Sequence, residues 1–482
     1  MRAGRAALVP LVLLPALTEG CVSVARDAGF AELHQTVMER TGADVRWMPG
    51  EASAEVAVEV HRLLAAELTA DTAVAVALLG NRELQATLEG LGIAQADLLE
   101  AGLLRNPLLG GELRFPASPV RPFEVTVAQP ILEVFLLPVR KRVAAAAFVA
   151  ARLRVTDAVL GVEAETRASC FRAQGAEQAL ALARTAAAAA QAAAALADRQ
   201  HQAGNITDLD LATEQALASQ ATLDVARGEL ELAAARERLQ RDMGLDGAFT
   251  SWKVAAQLPA LPAADVPLAG LEAAAVERRQ DLAALRQETA AAARALPLAR
   301  TAAIDQAEVG LHSERDVGGR TTTGPSATVS VPIFNWGQAA RRRAEARYRQ
   351  ARDRYQARGA AVQSEVREAW GRLAVARRQA EIYRDTLLPL RRGILELTQT
   401  GYNAMAAGIF QLLAAKQDAV RTEREAIEAL RDYWVARTEL ERAVAGRLPA
   451  ATPATAAPAA PPAKAPVPPL EPSPAHSSGG PS

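Results

Sequence analysis

Val125-Thr126-Val127-Ala128-Gln129-Pro130-Ile131 returns, about two hundred residues later, as Ala327-Thr328-Val329-Ser330-Val331-Pro332-Ile333. Basic triplets follow both copies, Arg140-Lys141-Arg142 and Arg341-Arg342-Arg343, and each runs into an Ala-rich helix. Further on, Leu211, Ala212 and Gln215 line up with Leu413, Ala414 and Gln417. Ala235, Arg236, Leu239 and Arg241 line up with Ala436, Arg437, Leu440 and Arg442. Upstream, Leu84 and Ala86 match Leu282 and Ala284 at a slightly shorter spacing, which predicts a longer second hairpin. Independent matches in one order make the chain a tandem duplication. Each half reads helix, β-hairpin, very long helix, turn, long helix.

The helices carry a coiled-coil pattern. Val362, Val366, Ala369, Leu373, Ala376, Ala380, Tyr383, Leu387, Leu390, Ile394 and Leu397 alternate at steps of four and three, the seam of a left-handed supercoil. Pro389 sits inside that seam and predicts a kink. The first half repeats the spacing at Val155, Val159, Val162, Thr166, Ser169, Ala173, Ala176, Leu180, Ala183 and Ala187. A helix from Gln338 to Thr400 would run about 95 Å, too long for a compact domain.

The strands are short and two-faced. Over Leu113–Phe115 and Glu124–Ala128, Leu113, Phe115, Val125 and Val127 share one side, with Glu112, Arg114, Glu124 and Thr126 on the other. In the second copy Val309, Leu311, Val329 and Val331 oppose Glu308, His312, Glu314, Thr328 and Ser330. A wall between lipid and a wet lumen needs this pattern, and so does any half-buried antiparallel sheet.

Composition agrees with long helices rather than large globular cores. Of 482 residues, 50% are hydrophobic but only 4% aromatic, and the net charge of −1 gives no field to recruit nucleic acid. Two cysteines, Cys21 and Cys170, cannot build a disulfide framework or a thiolate metal cluster. There is no Gly-x-Ser-x-Gly, no His-Glu-x-x-His and no phosphate loop, so neither an enzyme nor a cofactor is expected. Gly110-Gly111 and Gly318-Gly319 fit strand bends or turns in the hairpins.

Arg2 and Arg5 precede an apolar run, Ala6 to Leu17, too short to span a bilayer and readable as an export signal. Gly20-Cys21 then resembles a bacterial lipoprotein cleavage site, which makes Cys21 the candidate lipidation site. From Leu448 onward Pro, Ala and Ser dominate, and a solvated tail is expected. The expected layout is a signal peptide at 1–20, an N-terminal segment at 21–70 and a first repeat at 71–246. A linker at 247–270, a second repeat at 271–446 and a tail at 447–482 follow.

The turns between long helices hold the candidate site residues. Asp208 and Asp210 follow Gly204, where the first long helix turns back. Carboxylates gathered at such a turn favour cations. Equally, Thr207 or Asp208 caps the next helix and Asp210 meets its dipole. His201, with Asp198 and Asp208, is either a ligand set or polar surface at a helix end. The second tip, Ala407 to Leu413, is apolar and reads as a docking surface or as packing against a neighbouring helix pair. The two basic triplets either meet headgroups, line a tunnel, or are solvated helix starts.

This layout resembles the TolC-like outer-membrane efflux factors over about residues 70 to 446. The supporting motifs are Gln129-Pro130-Ile131, Val331-Pro332-Ile333-Phe334-Asn335-Trp336-Gly337, Asn106-Pro107-Leu108, and the tips Ala203 to Leu211 and Gly408 to Leu413. The resemblance implies a mainly α chain with a small β part. Long duplicated helices would form a periplasmic α-barrel, and four strands per chain would complete a 12-stranded trimeric outer-membrane barrel. It implies a passive exit duct in the outer membrane of a Gram-negative bacterium. Its partners would be a periplasmic adaptor and an inner-membrane pump of the resistance-nodulation-division type. The belt around the barrel's middle would take the N-terminal segment and the linker. Gly204, Asn205, Ile206 and Thr207, with Gly408, Ile409 and Phe410, would be adaptor-docking tips, and Asp208 and Asp210 would gate the pore. The Cys21 start resembles the lipoprotein branch. Tyr402 to Gln417 and Tyr433-Trp434 resemble members tied to heavy-metal, often copper, resistance. The alternative is a periplasmic coiled-coil adaptor or scaffold without a barrel; an adaptor would be expected to carry a β-rich lipoyl-like domain, for which no closely spaced strands are present.

Overall fold

The computed structural model describes residues 27–48, 54–115, 121–246, 251–304 and 306–448. The expected export signal, Cys21 and most of the expected Pro/Ala-rich tail lie outside the described residues. The described residues up to 261 and from 267 to 448 make one compact unit, and Pro262–Val266 falls in a second.

Two helices come first, α1 (Phe30–Thr41) and α2 (Ala54–Leu64). The first repeat then runs α3 (Ala70–Gly80), α4 (Arg82–Gly102), β1 (Leu108–Leu113), β2 (Phe123–Pro130), α5 (Leu132–Gln202) and α6 (Asp208–Met243). The second runs α7 (Leu271–Arg278), α8 (Gln280–Thr301), β3 (Ala307–Arg315), β4 (Thr321–Val329), α9 (Gln338–Ile382), a π-helical turn (Tyr383–Leu387), α10 (Leu388–Asn403) and α11 (Ile409–Ala443). The order of elements is therefore the same twice, as the duplicated motifs require.

The start of each repeat shows how the sequence sets the joints. Asn81 closes α3 and caps α4, its side chain accepting the Leu84 N–H at 3.0 Å. Its amide also donates to the Asp242 carbonyl at 2.9 Å, which bolts the joint to the end of α6. There α6 ends on Gly244 at φ 69°, and a Cβ on Gly244 would fall inside the Asn81 backbone. In the second repeat Arg279 takes the place of Asn81 between α7 and α8. It has no capping side chain and pairs instead with Asp281 at 2.8 Å and with Glu365 of α9.

The 71 residues of α5 make it about 105 Å long. Its buried positions include Val155, Val159, Thr166, Ser169, Ala173, Leu180 and Ala187, members of the expected seam. In α9 the buried set is Val362, Val366, Ala369, Leu373, Ala376 and Ala380, the first six positions of that seam. The break predicted at Pro389 appears as the π-helical turn that ends at Leu387, and Pro389 is the second residue of α10. A wider turn removes the need for the hydrogen bond that proline cannot donate.

Two apolar clusters sit beside the middle of α5. One gathers Leu33 and Val37 of α1, Val74 and Leu78 of α3, and Leu84, Leu88 and Leu91 of α4 on Val155 and Val159. The other joins Val60, Ala73, Val76, Phe171 and Leu239 with Trp252, Val254 and Leu258 of the linker. The linker is held there by a parallel bridge between Leu68 and Val254. Phe171 stacks on Trp434 with ring centroids 5.3 Å apart, and the Trp434 indole donates to the Pro259 carbonyl at 2.8 Å.

The four strands form one antiparallel sheet in the order β1-β2-β3-β4. The first strand lies earlier than expected, at Leu108–Leu113, and β2 extends to Pro130. Gly110 and Gly111 are therefore inside a strand, opposite Thr126 and Val125, whereas Gly318 and Gly319 sit in the turn. Register puts Leu109, Val127 and Leu311 in one row and Glu112, Glu124 and Glu314 in another, on opposite faces. Among the described residues nothing pairs with the outer edge of β1 or of β4.

Candidate functional site

The first tip is built by a glycine and a capping box. After α5 the chain reverses at Gly204, φ 76°, whose N–H donates to the His201 carbonyl at 2.8 Å. Thr207 caps α6 by accepting the Asp210 N–H at 3.2 Å. Asp210 returns the bond, its Oδ2 accepting the Thr207 N–H at 3.1 Å and the hydroxyl at 2.7 Å. Asp208 makes no cap. Its Oδ1 lies 2.6 Å from His201 Nε2, and its side chain is 96% exposed. The two aspartates are thus unlike: Asp210 belongs to the backbone of the turn and Asp208 faces water. Asp198 accepts from Gln202 instead of joining His201, which reduces the possible ligand set to one pair.

Asn205 and Gly204 are exposed and Ile206 is half-buried. Leu209, between the two aspartates, is exposed as well; its signal was an apolar residue in the first turn of a helix. At the second tip α10 ends beside Met405, φ 57°, a residue 96% exposed. Gly408 opens α11 while Gln411 accepts its N–H at 3.3 Å. Ile409 is half-buried and Phe410 is 48% exposed, but Leu412 is buried against the bundle. The apolar second tip therefore divides into a surface part and a packed part.

Between the tips and the π-helical turn, α10 and α11 are tied by ion pairs. Arg391 reaches Asp418 at 3.0 Å, Arg392 reaches Glu423 at 3.3 Å, and the Tyr383 hydroxyl donates to Glu425 at 3.3 Å. The rest of the seam, Leu390, Ile394 and Leu397, is exposed. A groove of about 650 Å³ runs between the α5–α6 and α10–α11 pairs, floored by Ala183, Ala186 and Ala190. Glu214 stands in it; burial pushes its carboxyl up and Lys416 pulls it back.

The sheet's polar face is charged. Arg114 binds Glu112 at 2.9 Å and Glu124 at 3.0 Å, and His312 stands 3.2 Å from the Thr126 hydroxyl. Nearer the middle of the helices, Arg167 is buried against Glu163 at 2.8 Å and Asp71 at 2.9 Å. Arg447 reaches the same Asp71 carboxylate at 2.7 Å. Burial pushes the Cys170 thiol up to about 12, so it is an unreactive core group. No group of three or more His, Cys, Asp or Glu among the described residues is placed to hold a metal ion.

Long helical hairpins thus join a two-faced four-stranded sheet whose outer edges pair with nothing among the described residues. Residues 271–446, the second repeat, match the family described as outer membrane efflux protein. No curated protein matches by sequence. Among solved structures, a membrane protein from Pseudomonas aeruginosa shares 20% identity at a TM-score of 0.65, over 83% of this chain and 98% of its own. The CusC channel shares 19% at 0.66, over 78% and 92%. The Campylobacter jejuni CmeC outer membrane channel shares 17% at 0.68, over 79% and 86%. The likeness to TolC-like efflux factors thus holds by sequence in the second repeat and by fold across both repeats.

Proposed function

We propose that this chain is a trimeric outer-membrane exit duct. It conducts substrates passively from an inner-membrane pump and a periplasmic adaptor to the exterior. The observation that carries this reading is the four-stranded sheet, apolar on one face, charged on the other and, among the described residues, unpaired at both edges. Backbone groups left unpaired in lipid cost several kcal/mol each, so the edges must pair with further copies. Three copies make the twelve strands of a closed barrel. The long helices then continue its lumen inward, and neither an adaptor nor a scaffold would need such a sheet. The energy and most of the choice of cargo come from the pump.

In this reading the tips carry two tasks. Gly204, Asn205, Ile206, Thr207, Gly408, Ile409 and Phe410 meet the adaptor, since both turns present backbone and apolar side chains at one end of the helices. Asp208 and Asp210, repeated by symmetry, place carboxylates at the inner mouth and draw cations. Lipidation at Cys21 rests on the Gly20-Cys21 junction. Mass spectrometry of the mature N-terminus tests it, and an unmodified Cys21 removes it without touching the duct.

Membrane fractionation followed by planar-bilayer recording tests the duct. Protein in the outer-membrane fraction that opens discrete conductances supports it. A wholly soluble periplasmic pool contradicts it.

A further inference from the structure

Both hairpins leave the sheet in the same way, and the duct reading does not use what they carry. In the first copy an exposed Phe135 is followed five positions later by Arg140-Lys141-Arg142. In the second, exposed Phe334 and Trp336 are followed by Arg341-Arg342-Arg343, again five positions after the last aromatic. Phe334 is 91% exposed, and Val331 and Ile333 beside it are exposed too. These residues continue the apolar face of the sheet, where Val309, Leu311 and Val329 are also exposed.

The bases that follow are unpaired to an unusual degree. Arg140 has Glu133 at 3.5 Å. Lys141, Arg142, Arg341, Arg342, Arg343, Arg347, Arg349 and Arg354 have no ion-pair partner among the described residues. The first turn of α9 holds no acidic side chain, and its glycine cap supplies no side-chain bond. Positive charge at the positive end of a helix dipole is unfavourable unless an anion lies nearby.

We infer that the two exits form a collar that binds anionic phospholipid headgroups at the inner face of the membrane. This rests on the proposed duct. Aromatic residues sit at the level where hydrocarbon meets headgroups. In the first exit five helical steps descend about 7–8 Å, and in the second, where α9 starts at Gln338, three helical steps beyond the Gly337 turn descend about 4–5 Å, both comparable to the ~5–7 Å depth of one headgroup layer. The basic triplets therefore reach phosphate while the aromatics stay at the hydrocarbon boundary. Charge complementarity and continuity with the apolar sheet face select lipid over a soluble anion. In a trimer the motif repeats six times, so the collar is closed.

Purified protein in neutral detergent, offered equal phosphatidylglycerol and phosphatidylcholine, reports on this through native mass spectrometry. Phosphatidylglycerol should be retained on the order of tenfold over phosphatidylcholine at low salt, and the ratio should fall toward one as salt rises. Arg341→Gln, Arg342→Gln and Arg343→Gln together should reduce the ratio, and adding Arg140→Gln, Lys141→Gln and Arg142→Gln should abolish it. Phe135→Ala with Phe334→Ala and Trp336→Ala should lower both lipids and leave the ratio. Equal retention by the unaltered protein, or a ratio that ignores the basic triplets, overturns the inference. The salt series on the unaltered protein decides the matter even if a variant does not fold. The same spectra give the oligomer mass, so a monomer that still prefers phosphatidylglycerol would sink the duct and its closed collar while keeping the two exits as an anionic-lipid site.

Discussion

Leu373 and Leu397 stand on one heptad seam, yet Leu373 is 1% exposed and Leu397 is 75% exposed. The π-helical turn Tyr383–Leu387 separates them. Before it the seam is filled by the chain's own helices. After it Leu390, Ile394 and Leu397 face outward at coiled-coil spacing, which is the pattern of a seam completed by another helix.

The two leucines should therefore behave differently. Leu373→Ala should cost about 2–5 kcal/mol in denaturant melts, since it opens a cavity. Leu397→Ala should stay within about 0.5 kcal/mol in a dissociated protomer. Leu390→Ser, Ile394→Ser and Leu397→Ser together should leave each chain folded and raise the conductance of the assembled channel, as the inner end loosens.

The first tip separates cap from gate. Thr207→Ala should cost about 1 kcal/mol, because it removes an acceptor for a helix-end N–H. Asp208→Asn and Asp210→Asn together keep side-chain size and the capping oxygen of Asp210. In planar bilayers that pair should lose cation preference and block by multivalent cations, with the trimer intact. Unaltered selectivity would leave Asp210 as part of the turn and Asp208 as a solvated partner of His201.

The seam and the duplication were legible because burial at Val362 to Ala380 needs only spacing, which sequence displays directly. The cap was legible only as a choice between Thr207 and Asp208, with Asp210 meeting the dipole; the geometry gives it to Thr207 and has Asp210 close the box. The start of β1 was legible only through the resemblance that puts Asn106-Pro107-Leu108 at the first strand: by themselves Asn106-Pro107 and Gly110-Gly111 read as breakers, and pairing with β2 makes Leu108 a strand residue. The role of the linker was not legible: Trp252 and Val254 enter a core formed by α2, α3, α5 and α6. The difference between Asp208 and Asp210 also needed geometry, since it depends on the turn bringing His201 to 2.6 Å from Asp208.

The Arg167 network predicts both a mutational and a pH effect. Arg167→Met should destabilise by about 3–5 kcal/mol, because Glu163 is left buried without its partner. Burial opposes the charge of Asp71, but Arg167 and Arg447 outweigh it and hold its carboxyl below the usual range. Such a group adds stability that is fully present above its unfolded pKa, about 3.9, and lost as pH falls through the lower folded value. Melts should show a decline below about pH 4 that is smaller in Asp71→Asn.

Gly244→Ala should cost more than about 1 kcal/mol, since φ 69° strains a side chain and the added Cβ meets the Asn81 backbone. Thermal melts check this. A neutral result would mean that the α4–α6 joint is not rigid.

Cross-linking of the sheet edges tests the trimeric barrel most directly. Single cysteines replace Leu109 in β1 and, in a series, Thr321, Thr322 and Thr323 in β4, with Cys170 changed to Ala. The two strands lie at opposite edges of one chain's sheet, so a disulfide between them must join different copies. Oxidation in intact outer membranes should give a ladder ending at three chains for at least one pair. Cross-links absent from every pair, or a product that stops at two chains, would contradict the account.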